Sequence, residues 1–257
     1  MDLANFARYP SLRDKTVFVT GGGSGIGAAI VESFVDQGAR VAFVDIEDEW
    51  SRRLCQDLKQ QYGTAPLYIR CDIRDVAALQ STIDKVGRDL GEIGVLVNNA
   101  ANDMRHDWAT VTPDYWDDRM AINLRPMFFT VQSVIPQMKR LGGGSIINFG
   151  SITWLVGDGD CPAYVTAKAA ITGLTRALAR EFGPERIRVN CMVPGWVMTE
   201  RQMKLWLTPE GERQIEDRQC LPDRLQPADI ARMALFLASD DSRMCTSQNF
   251  IVDGGWV

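Results

Sequence analysis

A single-domain α/β fold with a doubly wound, parallel, seven-stranded sheet and helices on both faces is what the sequence predicts, on three observations. Seven short apolar runs, most of them β-branched, alternate with longer amphipathic stretches, the pattern of parallel strands joined by helices. The first run is followed at once by a cluster of glycines. No linker, repeat or low-complexity tract interrupts residues 1–257, so one domain is expected, larger than usual but within what a single α/β sheet with helices on both faces accommodates.

The elements follow in order. Thr16-Val17-Phe18-Val19-Thr20 is the first strand, and a helix is predicted from about Gly25 to Gln37, stopped by Gly38. The run 40–44 is the second strand and ends at Asp45; a polar helix near 48–62 leads to the third strand, 67–71, and Asp72. A helix near 75–90 precedes the fourth strand, 94–97, which runs into Asn98 and Asn99. One long helix is predicted over 113–140 with Pro113 in its first turn, ended by the glycines at 142–144. Strand 145–149, helix 162–181, strand 187–191, helix 227–239 and strand 249–252 complete the fold. The segment 195–226 has the weakest pattern and reads equally as a substrate lid or a packed insertion.

Composition narrows the function. With 46% apolar and 24% charged residues the chain has the make-up of a soluble globular protein. A net charge of -5 gives no basic surface for nucleic acid, and no apolar run reaches the length of a membrane span. The polar amino terminus does not read as a signal peptide, so a cytoplasmic location is expected. Six scattered cysteines without a Cys-x-x-Cys pair are expected to be reduced, and with His106 the sole histidine no metal site is expected.

The segment 20–27 (TGGGSGIG) lies between the first strand and the first helix. Glycine there permits a tight turn and close backbone approach to a pyrophosphate, whose charge meets the N–H groups of the helix start. Gly21, Ser24, Gly25 and Ile26 are assigned to that cradle, and Gly27 to close packing of helix on sheet. Asp45, about 20 residues on, is placed to accept from the adenosine ribose hydroxyls and to repel a 2′-phosphate; its alternative is to cap the following turn. The loop carries no Arg or Lys, so NAD is expected rather than NADP. Ile46 is counted among the cofactor-binding residues. Asp72 is read as a partner of the adenine amino group, or equally as a helix N-cap, with Ile73 against the ring. Asn98 is expected to tie strands together, while Asn99, Ala100 and Ala101 form the backbone wall beside the cofactor.

Tyr164 and Lys168 are one helical turn apart and share a face. A phenol, with a pKa of about 10, is a poor base at neutral pH. The expectation is that Lys168, together with a positive nicotinamide, brings the phenol down. Ser151 follows the fifth strand, at the sheet edge where such folds bind ligands, and its hydroxyl can hold a substrate oxygen. Asn123 sits inside the long helix with Pro126 after it, which predicts a local distortion and a place for a water on the Lys168 side.

This set resembles the short-chain dehydrogenase/reductase family over nearly the whole chain. The matching pieces are TGGGSGIG, Asp45, NNA, Asn123, Ser151, YVTAK, VPGWVMT and DGGW. The resemblance implies a Rossmann fold and a catalytic tetrad of Asn123, Ser151, Tyr164 and Lys168. It implies that Lys168 bonds the nicotinamide ribose and that Val197 and Thr199, after Pro194 and Gly195, bond the carboxamide. It also implies a homotetramer. Ala101 departs from the family's usual glycine after NNA. The strings NNAANDMRH, GSITW, QCLPDRLQP and FLASDDSRMCT resemble the sugar (aldose) 1-dehydrogenase branch, which includes D-xylose 1-dehydrogenase. That branch implies oxidation of the C1 hydroxyl of a cyclic aldose to its lactone.

Residue chemistry fits a polyol, whose buried hydroxyls need partners. Asn102, Arg105, His106, Trp154 and Trp196, with Ser151 and Tyr164, are the expected substrate contacts; Asp103 lies among them. The alternative for Asp103 and Arg105 is a loop salt bridge with each other, and for Trp154 the cover of an apolar edge. A 3-oxoacyl or other ketone reductase is the competing enzyme, and a cofactor-binding regulator without catalysis the competing class; L-arabinose, D-xylose, D-galactose and L-fucose are the sugars the sequence leaves open.

Overall fold

The computed structural model describes residues 6–257. Seven strands, β1 Thr16–Thr20, β2 Arg40–Asp45, β3 Leu67–Arg70, β4 Ile93–Asn98, β5 Gly144–Phe149, β6 Ile187–Pro194 and β7 Asn249–Val252, form one sheet. Their order is β3-β2-β1-β4-β5-β6-β7, and every pair is parallel.

Alternation along β1 explains the two helical layers. Val17 and Val19 point to one face, where they join Ile30 and Phe34 of α1 (Gly25–Asp36) and Ile230 and Leu237 of α10 (Pro227–Ala238). Phe18 points to the other face and meets Ile83 of α3 (Val76–Leu90), Met138 of α5 (Arg125–Leu141) and Leu178 of α7 (Pro162–Phe182). With both faces covered the strands read as unbroken apolar runs. α2 (Asp48–Tyr62) connects β2 to β3.

The strand order reverses between β1 and β4, the switch point beyond whose carboxyl ends open α/β sheets place their ligand crevice. Close packing there depends on Gly27: a Cβ on it would lie 1.8 Å from the Gly21 carbonyl oxygen. Gly21 itself has φ +67, and a Cβ would meet the Ala100 backbone at 2.8 Å.

Two expectations need correcting. The helix predicted over 113–140 is two helices, α4 (Pro113–Asn123) and α5, broken at Leu124 (φ -134, ψ -55). Pro126 has no N–H to continue the ladder, and the Met127 N–H goes to the Leu124 carbonyl at 3.1 Å, which leaves the Asn123 carbonyl without its helical donor. Segment 195–226 is more regular than its pattern indicated. It holds α8 (Glu200–Leu205) and α9 (Pro209–Arg218), whose starts are capped by Thr199 and Thr208, accepting from the N–H groups of Gln202 and Gly211. A short α6 (Thr153–Val156) follows β5.

A buried polar ladder ties the sheet to α5 and α7 on its second face. Asn98 donates to Asn148 Oδ1 at 2.9 Å and accepts from the Thr130 hydroxyl at 2.7 Å; Asn148 donates to the Thr175 hydroxyl at 3.1 Å. All four are buried, and each gains its partner within the protein. Asn98 is thus a strand tie, as its position at the end of β4 predicts.

Candidate active site

The glycine turn presents the start of α1 to the crevice. Ser24 occupies its N-cap without a side-chain cap bond, and the first turn holds no acidic residue, so the leading N–H groups are free to face an anion. The Asn99 amide donates to the Thr20 and Gly21 carbonyls at 3.1 and 2.9 Å, and the N–H groups of Asn99 and Ala100 both bond the Thr20 hydroxyl. The strand-end wall is thereby fixed against the glycine turn, with Ala101 exposed at its outer end.

Asp45 does cap its turn. Its Oδ1 accepts from the N–H groups of Ile46 and Glu47 at 2.8 and 3.1 Å, and Oδ2 from Gly23 at 2.8 Å. These bonds hold the carboxylate beside the glycine turn, where a ribose would meet it, so capping and cofactor contact are compatible. Ile46 next to it is exposed. Asp72 is not the N-cap of α3; Asp75 is, accepting from Ala78 at 3.0 Å. Asp72 instead receives the Arg74 guanidinium and backbone N–H, which hold its carboxyl below the usual carboxylate range. Ile73, beside it, is half-buried.

Ser151, Tyr164 and Lys168 converge behind the ends of β5 and β6. The Ser151 hydroxyl lies beside the Tyr164 phenol and accepts from Thr153 N–H at 3.3 Å. Lys168, 1% exposed, donates from Nζ to the Phe149 carbonyl at 2.7 Å and lies 5.4 Å from the Tyr164 ring centroid. Burial pushes its pKa down to about 8. Without a positive nicotinamide beside it the phenol moves up: burial first, then the Asp103 carboxylate, raise the Tyr164 pKa well above its ordinary value, and the neighbouring Ser151 hydroxyl pulls it down. The lysine is aimed at Phe149 rather than at the phenol oxygen, so in the protein alone desolvation wins. Asn123 is buried, and its side-chain amide pairs with both backbone groups of Asn102, accepting at 2.8 Å and donating at 3.1 Å. The group it leaves for a water is therefore its main-chain carbonyl, at the helix break.

The expected substrate residues separate into two kinds. Asp103 and Arg105 do not pair with each other. Asp103 bonds Arg201 at 3.2 Å and Gln202, both on α8. Arg105 pairs with Asp160 at 3.2 Å and stacks on the Trp206 ring at 4.7 Å. His106 is engaged on both ring nitrogens: Nδ1 lies 3.1 Å from the Met104 carbonyl and from the Tyr115 hydroxyl, and Nε2 accepts from Ala163 N–H at 3.4 Å. It fixes the loop rather than offering a free donor. Trp154 and Trp196 are the reverse, each with a buried indole N–H that has no partner among the described residues. Trp196 packs on Trp256 with centroids 6.5 Å apart. Pro194 closes β6 and accepts from Ile152 N–H; Gly195 sits against Asp253; Val197 is buried; and Thr199, while its oxygen caps α8, keeps its hydroxyl proton free. The links from Asp103 and Arg105 to Arg201, Gln202 and Trp206 carry no signal in residue spacing, since they join segments nearly a hundred positions apart.

Against known proteins, a family profile described as enoyl-(acyl carrier protein) reductase matches residues 21–257. A D-xylose 1-dehydrogenase of Caulobacter vibrioides is 52% identical over 97% of this chain and 98% of its own. The chain is a short-chain dehydrogenase/reductase. Another relative, a probable galactose dehydrogenase of Rhizobium meliloti, is 51% identical over 97% of both chains. Among solved structures of this dehydrogenase family, a 7α-hydroxysteroid dehydrogenase complexed with NADH and 7-oxo glycochenodeoxycholic acid superposes with TM-score 0.91 at 31% identity, covering 96% of this chain and 97% of that one. A metagenomic blue fluorescent protein in complex with NADPH superposes with TM-score 0.87 at 33% identity, covering 96% and 99%. The dehydrogenase described here is therefore an oxidoreductase of that family. Among the described residues no helix is long and apolar enough to cross a membrane.

Proposed function

We propose that this dehydrogenase oxidises the C1 hydroxyl of a cyclic pentose or hexose to the aldonolactone, using NAD+. The observation that carries the chemistry is the convergence of Ser151, Tyr164 and buried Lys168 at the carboxyl edge of the sheet. The sugar comes from relatives above half identity that bear the names of sugar dehydrogenases.

The free N–H groups at the start of α1, the Gly21–Ala100 approach and the exposed Ile46 fit a dinucleotide, and Asp45 favours a ribose with an unmodified 2′-hydroxyl. When bound, NAD+ supplies the hydride acceptor and a positive charge. Val197 and Thr199, with its free hydroxyl proton, would hold the carboxamide. Ser151 holds the C1 oxygen of the sugar, and Tyr164 takes its proton as the general base. Lys168, whose pKa of about 8 suits proton exchange near neutrality, would relay the proton taken by Tyr164 to a water accepted at the Asn123 carbonyl, and that water would release a proton to solvent. Trp154 and Trp196 offer unpartnered N–H groups to sugar hydroxyls. We further propose a homotetramer, a cytoplasmic location, and residues 195–226 as the cover over the substrate.

The test is formation of NADH, read by its near-ultraviolet absorbance, on a panel of L-arabinose, D-xylose, D-galactose and L-fucose. Turnover of one or more with NAD+ is expected. Reduction of ketones or 3-oxoacyl thioesters with NADPH, and no sugar oxidation, would favour the competing reductase.

A further inference from the structure

Beside the amino-terminal end of α7 lies a depression open to solvent, of about 450 Å³, lined by Arg105, His106, Asp107, Trp108, Gly159 and Asp160. That volume falls within the range of small-molecule sites. It is tied to the start of the tyrosine's helix, since His106 in its wall accepts from the N–H of Ala163, the residue directly before Tyr164.

Three features of the lining go beyond what a single oxidised ring needs. Trp108 is 78% exposed, a large indole face left in water where most such faces are buried. Its turn is held in place, since Asp107 accepts from Ala109 N–H at 3.0 Å through one carboxylate oxygen. Arg105 is anchored on both sides, by Asp160 at 3.2 Å and by the Trp206 ring at 4.7 Å, so the guanidinium is oriented before any ligand arrives. A flat aromatic face beside a fixed guanidinium and two carboxylates matches a sugar ring. Its C–H face is apolar and stacks, while its hydroxyls need donors and acceptors around the rim.

We propose that this cavity is a second sugar subsite, which binds a ring joined through a glycosidic bond to the aldose oxidised at Tyr164. Reducing disaccharides are then substrates. The chemistry is unchanged: C1 of the reducing ring gives its hydride to the nicotinamide and its hydroxyl proton to Tyr164, the glycosidic bond stays intact, and the product is the disaccharide lactone. This rests on the aldose reading above.

Steady-state kinetics of the full chain with NAD+ test it, with D-xylose, D-galactose and D-glucose against xylobiose, lactose, maltose and cellobiose, in wild type and Trp108→Ala. Support is turnover of at least one disaccharide, with its KM raised about tenfold in Trp108→Ala while monosaccharide KM stays within about twofold. Monosaccharide turnover with no disaccharide turnover overturns the subsite, as does an equal effect of Trp108→Ala on both sugar classes or no effect on either. If wild type oxidises no sugar at all, the aldose reading itself falls. Saturation-transfer NMR with the same disaccharides then decides the cavity: signal on the non-reducing ring that Trp108→Ala removes supports it, and no such signal overturns it.

Discussion

The ammonium of Lys168 donates to the carbonyl oxygen of Phe149 at 2.7 Å from a position that water scarcely reaches. One carbonyl cannot replace the hydration of a full charge, which is why burial brings this lysine down to about 8.

That depression has a consequence for stability. Below pH 8 the lysine is protonated in both folded and unfolded chains, and the folded chain carries the full cost of burying the charge. Between pH 8 and the unfolded value the folded chain has already released its proton, so the cost fades as pH rises. Cofactor-free Lys168→Met should therefore be more stable than wild type at pH 7, by about 3 kcal/mol. The gap should shrink through pH 8–10, as measured by urea unfolding at a series of pH values.

Tyr164→Phe should lower kcat for oxidation by about a thousandfold, within the usual reach of a general base, and leave the NADH Kd nearly unchanged. Since burial raises the phenol in the protein alone, wild-type kcat/KM for oxidation should climb with pH on the alkaline side of neutrality. Fluorescence titration with NADH and a pH–rate profile check the two halves.

Asp103 adds negative charge near both groups, raising the phenol and opposing the fall of the lysine. Asp103→Asn should move the rising limb of the pH profile down by about half a pH unit. Its partly exposed pair with Arg201 adds little to stability, so the melting temperature should change little.

Asp45→Ala should reduce the NAD-over-NADP ratio of kcat/KM by about tenfold, because it removes both the ribose acceptor and the charge that repels a 2′-phosphate. Kinetics with both cofactors would show it.

Gly27→Ala should be severe. With a Cβ 1.8 Å from the Gly21 carbonyl oxygen, α1 must shift off the sheet, at a cost of at least about 3 kcal/mol. Chemical denaturation, or failure to obtain folded protein, would register it.

The strands were legible because both sheet faces are covered, so apolar runs such as 16–20 are continuous, and the glycine turn stood out between strand and helix. The distortion at Asn123 was legible through Pro126, though the chain breaks there outright rather than bending. The starts of α8 and α9 carried the signals Thr199 and Thr208-Pro209, but their polar sequences obscured any apolar period. The sign of the Tyr164 shift was not legible: spacing places the lysine one turn away but not where its ammonium is aimed. Nor did spacing reveal that Asp72 would be drawn to Arg74 while Asp75 started the helix, or that Asp103 and Arg105 would find separate partners across the site.

The ladder of Asn98, Asn148, Thr130 and Thr175 constrains how this chain can vary over time. Replacing any member by an apolar residue strands a neighbour's amide or hydroxyl in a dry interior. Tolerated change at these four positions is thus concerted, and a sequence drifting at one of them alone should be selected against even though none touches the reacting atoms.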